Sequence, residues 1–334
     1  MKDTISLRYQ GIMTIAKQEF RVRLRTGRWR WLLFAWLVVV GGFTVLLRLG
    51  LATVDADGPA GIPLFGGLMI FVLGLSLLVA PALTAQSING DRERGTLATV
   101  QVTRLSAVDI ALGKLVASWG TGLVFLALTV PFVVWSVFEG GVGVGRAAVV
   151  LLVVAALIGV ICAVAQGFSA LLDRGITSTL LSYLLVFALT GGTLIAFGLA
   201  TVAFTERPEP ASTMPGQNSG LTMEPHTEDV WWLLAPNPFV VLADAAPEPP
   251  LKWDPEAQQM LPSTSLDPLS ALGYAARLMR TPTPQRQHGS IPDGSPVWPY
   301  GLGFDVLLGV GAVWTTTRRL RAPVHTVRRG VRIA

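Results

Sequence analysis

Apolar and polar positions along this chain are sorted into long blocks. Six blocks are almost purely apolar: Trp31 to Leu47, Ile62 to Ala85, Leu112 to Phe138, Ala147 to Leu172, Ile176 to Phe204 and, more weakly, Trp298 to Thr317. A helix needs about 20 mainly apolar residues to cross a ~30 Å hydrocarbon layer, because each residue rises 1.5 Å. Backbone groups in lipid have no water to bond, so blocks of this kind are predicted as helices. Pro131 falls inside the third block and predicts a kink there. The expected fold class is an all-α integral membrane protein with six transmembrane helices.

The polar stretches then set the organisation. Residues 1–30 form an N-terminal segment, and residues 31–204 carry spans one to five with a loop at 86–111. Residues 205–297 form one long loop, 298–317 the sixth span, and 318–334 a basic tail. From Ile12 to Arg30, Met13, Ala16, Phe20 and Leu24 recur at helical spacing, with Lys17, Arg21, Arg25 and Arg28 along another stripe. Glu19 and Arg23 are spaced as an i,i+4 pair. This pattern predicts an amphipathic helix at the membrane interface, its cations near anionic headgroups. In the loop 86–111, Ser106 and Asp109 have the spacing of a capping box opening the third span.

Composition agrees with a membrane reading. Hydrophobic residues make up 51% and charged residues only 14%, against about a quarter charged in soluble domains. A formal charge of +5 could point to nucleic acid, but the charges fall between apolar blocks and follow membrane orientation instead. No nucleic-acid partner is expected. Of the 26 lysines and arginines, all but Arg48, Arg146, Arg207, Lys252, Arg277, Arg280 and Arg286 fall on one side of a six-span arrangement. The positive-inside rule puts both termini in the cytoplasm and the loop 205–297 outside. The roughly thirty polar and basic residues before the first block argue against a cleavable signal peptide.

The single cysteine, Cys162, sits in an apolar block, so no intrachain disulfide can form. The outer loop is rich in proline, with Pro247, Pro249 and Pro250 close together. It is expected to be an extended, irregular cover. Within it, Trp231 and Trp232 favour a membrane interface, and a small helix is predicted from Leu266 to Met279.

One stretch carries a more specific pattern. Asp91-Arg92-Glu93-Arg94-Gly95-Thr96-Leu97 follows the second span, Leu105-Ser106 comes next, and Gly113-Lys114 opens the third span. With six spans, an interfacial helix and the Asn237-Pro238 step before the last span, this layout resembles the permease subunit of type-2 ATP-binding cassette exporters. The resemblance extends over nearly the whole chain, with its specific part confined to about 25 residues. It implies that Asp91 to Leu97 form a coupling helix, and that the turn with Asp173 and Arg174 makes a second, smaller coupling contact. It also implies a paired permease subunit, identical or related, and two copies of a cytoplasmic ATP-binding subunit that carry the ATP and Mg. This chain itself is expected to bind no cofactor and to have no catalytic residues. The expected location is the plasma membrane, and the expected cargo is an amphipathic, lipid-like or drug-like molecule. The outer loop is longer than is usual in that family, which points to a dedicated extracytoplasmic partner or cap.

A separate reading of the residues agrees with dependence on a partner. No G-x-x-x-x-G-K-[ST] phosphate loop occurs, and Gly113-Lys114-Leu115 lacks both the upstream glycine and the hydroxyl residue. Three rival classes remain. An ion-coupled transporter needs ionisable groups deep in the membrane, and Asp305 is the candidate. Separately, Asp305 is expected either to sit in the headgroup zone or to form an outer-gate ion pair with Arg48 or Arg146. A metal-dependent enzyme could use His226, Glu228 and Asp229, although no metal site is expected. A scaffold without transport activity is the third alternative. Gln166, among small residues of the fourth span, is expected either to bond across a helix interface or to line a translocation path.

Overall fold

The computed structural model describes residues 2–25, 27–53, 59–95, 105–204, 227–246, 251–254, 259–262, 267–281 and 296–321. Helices dominate. They are α1 (Lys2–Arg25), α2 (Gly27–Leu51), α3 (Gly61–Thr84), the short α4 (Asn89–Glu93), α5 (Ala107–Phe138) and α6 (Val144–Leu171). Next come α7 (Gly175–Phe187), a π-helical stretch (Ala188–Gly192) and α8 (Thr193–Ala203). The outer region contributes α9 (Pro238–Ala245) and α10 (Pro268–Arg280), and α11 (Trp298–Leu320) follows. Leu251–Asp254 (β1) and Gln259–Pro262 (β2) form a short antiparallel hairpin, with Leu251 opposite Pro262.

Among the described residues, five helical segments are long and apolar enough to cross a membrane: Trp29–Leu51, Gly61–Glu93, Ala107–Phe138, Val144–Leu171 and Gly175–Ala203. They mark a multi-pass membrane protein, and in the second of them the apolar part is α3, with α4 beyond its end. The expected sixth, α11, has the length but not the apolarity. Asp305 and the run Thr315-Thr316-Thr317-Arg318-Arg319 dilute it.

The bundle is centred on α3 and α6. Phe65, Leu68, Leu73, Val154, Leu157 and Ile158 are almost completely buried there. Lipid tails are as apolar as leucine, so close packing takes over from the hydrophobic effect in holding such helices together. Small residues permit it: Gly167 lies against Ala312 and Gly309 against Val160 and Ala163, seating α11 along α6. By contrast, α2 and α8 turn large apolar side chains outward, including Trp31, Phe34, Ile195 and Leu199.

One local feature was legible in the sequence. Ser106 and Asp109 form the full capping box, each side chain accepting from the other residue's backbone N–H. α5 then runs on through Pro131 to Phe138.

The N-terminal helix is longer than expected and has one face on a protein surface. Ile15 and Ala16 are buried, and Gly113 on α5 abuts Ile12 and Ile15. Glu19 pairs with Lys114; the side chain of Arg23, its expected partner, lies outside the described residues.

The outer region corrects the expectation of an irregular cover. Its described part is folded and tied to the bundle. Asp267 caps α10, its carboxylate accepting from the Leu269 N–H, and Arg146 of α6 donates to it at 3.0 Å. Gly66 of α3 lies directly beneath Asp267, and any side chain there would collide with that carboxylate. Asp244 of α9 accepts from Arg277 at 2.6 Å and from the first backbone N–H groups at α11, Val297 and Trp298. Pro238 and Pro268 start these helices, each standing in the first turn, where no N–H is required; Pro247, Pro249 and Pro250 lie outside the described residues.

Asn237 makes a second tie. Its side-chain oxygen accepts from the Phe239 N–H and caps α9, while its amide donates to the Thr190 carbonyl and the Thr193 hydroxyl. Thr190 belongs to the π-helical stretch, where the changed ladder leaves carbonyls in need of donors.

Candidate functional site

The residues of interest collect at the two ends of the bundle. At one end, α4 lies across the ends of α5 and α6. Its first turn is held by one hydroxyl: Ser169 of α6 accepts from the backbone N–H groups of Ile88 and Asn89, both at 3.1 Å. This satisfies two of the donors that a helix start leaves open. Gly95 follows α4 with φ of 70°, a left-handed conformation that stops the helix and that a side chain would strain.

The charged residues of α4 divide into two sets. Asp91 turns inward, accepting from Lys114 at 2.5 Å and from Arg94 at 3.0 Å. Burial alone would raise the Asp91 carboxyl, but the hydrogen bonds and charges of Lys114 and Arg94 outweigh it and hold the group below its ordinary value. Lys114 has only 4% of its side chain exposed and is also met by Glu19 at 2.5 Å. The ammonium therefore joins α1, α4 and α5.

Arg92 turns the other way. Its guanidinium donates to the Leu172 carbonyl at 3.3 Å and to Asp173 at 3.4 Å. The expected coupling helix and the turn between α6 and α7 are thus in contact, and Glu93 lies beside Gly175. Arg92, Glu93, Arg94, Asp173 and Arg174 are all exposed. Together they form one charged face. Thr96 and Leu97, the end of the same motif, lie outside the described residues.

Gln166 is buried, and its amide donates to the Ala111 carbonyl at 2.8 Å, joining α6 to α5. That bond meets the interhelical role.

At the opposite end the expected gate pair does not form. Arg48 donates to Glu139 at 2.9 Å, and Trp135 adds a bond to the same carboxylate at 3.2 Å. The hydrogen bond from Arg48 is the main reason that the Glu139 carboxyl lies below its usual value. Arg146 is committed to Asp267 and Ser270. Asp305 is 1% exposed, and among the described residues neither carboxylate oxygen has a hydrogen-bond partner. Each arginine has found a carboxylate nearer its own depth: Glu139 just beyond α5, and Asp267 at the start of α10.

Several of these partners were not singled out in the sequence. Glu139 and Asp267 are ordinary acids in polar stretches, and nothing local ties them to arginines 91 and 121 residues away. Lys114 did carry a signal. A lysine two turns inside an apolar helix must find carboxylates or reach water. Among the described residues, no group of three His, Cys, Asp or Glu side chains could hold a metal ion; His226 lies outside them. In comparisons with known proteins, no family model matches this chain and no curated protein does.

Proposed function

We propose that this chain is the membrane subunit of an ATP-binding cassette exporter, driven by ATP hydrolysed on separate cytoplasmic subunits. In this reading α11 is the sixth span and both termini lie in the cytoplasm of a plasma-membrane protein. The cargo is amphipathic, lipid-like or drug-like. The observation that carries the reading is the Arg92 bridge. It joins two stretches of chain about 80 residues apart into one exposed charged face, where a moving partner could push on α4, α5 and α6 together. Two ATP-binding subunits, which bring the ATP and Mg, and a second permease subunit complete the transporter. The outwardly apolar α2 and α8 offer that second subunit, or lipid, a surface.

The test is a charge reversal on that face. Arg92→Glu with Glu93→Arg should abolish transport-coupled ATP hydrolysis in the reconstituted complex while membrane insertion stays intact. Full coupled hydrolysis in the reversed variant would remove the proposal.

Asp305 supports a second reading, ion-coupled transport without ATP. A buried carboxylate without a partner is costly in a bilayer and is often kept for an ion. Uptake into ATP-free proteoliposomes, driven by a pH or sodium gradient and lost in Asp305→Asn, would favour it over the first.

A further inference from the structure

We infer that the groove between α1 and α5 is a binding site for one anionic phospholipid. The groove has a volume of about 500 Å³ and is lined by Ala16, Lys17, Phe20 and Arg21 of α1 and by Val116, Ala117 and Gly120 of α5. Lys17 and Arg21 stand one helical turn apart, both exposed, and among the described residues neither has an ion-pair partner. The nearest acid in sequence, Glu19, is committed to Lys114. Two like charges at this spacing repel each other. The groove therefore has a positive rim with no counter-charge, above a floor of Phe20, Val116 and Ala117. Space around Gly120 is open, with no atom within 4 Å of where a side chain would begin.

Depth identifies the occupant. α5 has 32 residues and is therefore about 48 Å long, well over the ~30 Å of a hydrocarbon layer. Measured back from Phe138, the layer accounts for about 20 residues and ends near Ser118. The groove lies at that boundary, where phosphates meet acyl chains. Lys17 and Arg21 can bracket a phosphodiester, their aliphatic stems lying along the apolar floor, while one acyl chain follows Val116 and Gly120 toward the membrane centre. A zwitterionic lipid offers the same chain but carries no net charge to match two cations. A soluble anion supplies the charge without a use for the floor.

Native mass spectrometry of the full chain decides this. The protein, in detergent with added dioleoyl phosphatidylglycerol or dioleoyl phosphatidylcholine, should retain one phosphatidylglycerol with a preference on the order of tenfold, from two cations near a lipid surface. K17Q/R21Q should bring that preference close to unity, K17R/R21K should keep it, and R280Q, on α10 at the opposite end of the bundle, should leave it unchanged. Both altered side chains are exposed, and an unshifted melting curve will show that K17Q/R21Q is folded. Photocrosslinking of a phosphatidylglycerol analogue to wild-type protein should label the peptides containing Phe20 or Val116. Equal retention of the two lipids, an undiminished preference in K17Q/R21Q, or crosslinking confined to other helices would overturn the site. Displacement of the lipid by millimolar inorganic phosphate alone would also overturn it, because a small-anion site has no need of the apolar floor.

Discussion

Lys114 and Asp91 meet nitrogen to oxygen at 2.5 Å, with Glu19 on the same ammonium from the other side. One buried lysine thus holds two carboxylates from two other segments. Breaking a buried pair by removing one partner typically costs about 3–5 kcal/mol. Asp91 and Glu19 are partly exposed, so Lys114→Met is expected near the lower end, about 3 kcal/mol. Its folding can be followed by thermal or denaturant unfolding in detergent. A loss near zero would mean that the ammonium and its carboxylates are adequately hydrated without one another.

The same contact predicts a pH dependence. Asp91 lies below its ordinary value of 3.8 in the folded chain. A carboxyl lowered on folding adds stability that is fully present above its unfolded value and lost as pH falls through the folded one. Wild-type stability should therefore fall below about pH 4, with a shallower fall in Lys114→Met. Parallel acid profiles for the two proteins would refute the assignment.

Asp305 should behave in the opposite sense. Its two oxygens are buried without partners among the described residues, and an unsatisfied buried polar group costs about 1–3 kcal/mol. Asp305→Leu is expected to stabilise the protein by a similar amount, read as a rise in Tm. A fall in Tm would show that the carboxylate is paired in the membrane, for instance by a bound cation.

The bond between Arg146 and Asp267 fastens the outer helices to the bundle. Arg146→Met and Asp267→Ala should each destabilise by about 3–5 kcal/mol. Asp267→Ala should be the costlier, since it also uncaps α10. The double variant should cost much less than the two combined, because neither charge is then left alone. Additive losses would count against a direct pair.

Much of the bundle was legible because a bilayer makes a helix announce itself locally: about 20 apolar residues, wherever they fall, must satisfy their own backbone. The Ser106–Asp109 box was legible for the same reason, its two bonds closing within four residues. The contacts of Arg48 and Arg146 were not. Their carboxylates are chosen by depth and by which helices neighbour one another, and neither appears in a linear spacing. α4 falls between these cases: the family resemblance implied a helix there, but Ser169, the residue that fixes its first turn, reads in sequence as one more small residue of a span. In the outer loop the helix expected from Leu266 to Met279 is present as α10; what was not legible is how its described part is tied to the bundle, through Asp267, Asp244 and Asn237, whose partners are distant in sequence.

Asn237 offers a test of the π-helical stretch. Asn237→Ala removes both the cap of α9 and the donor to Thr190, and should cost about 1–3 kcal/mol. Asn237→Ser keeps a capping oxygen but withdraws the amide donor, so its loss should be smaller. If the two lose equally, the cap contributes nothing.

That stretch also sets the phase of everything after it. A π turn accommodates one residue more than an α turn, so the chain leaves Gly192 rotated by about 100° from the direction an unbroken α-helix would have taken. The seam of Ser178, Ser182 and Leu189 that faces the bundle has no continuation in α8, none of whose residues is buried. Deleting a single residue between Ala188 and Gly192 would let the ladder close as plain α-helix. It would swing α8 round its own axis by about 100° and carry Phe197 away from Leu234, Val240 and Ala276. In this half of the fifth span, chain length acts as an angular setting.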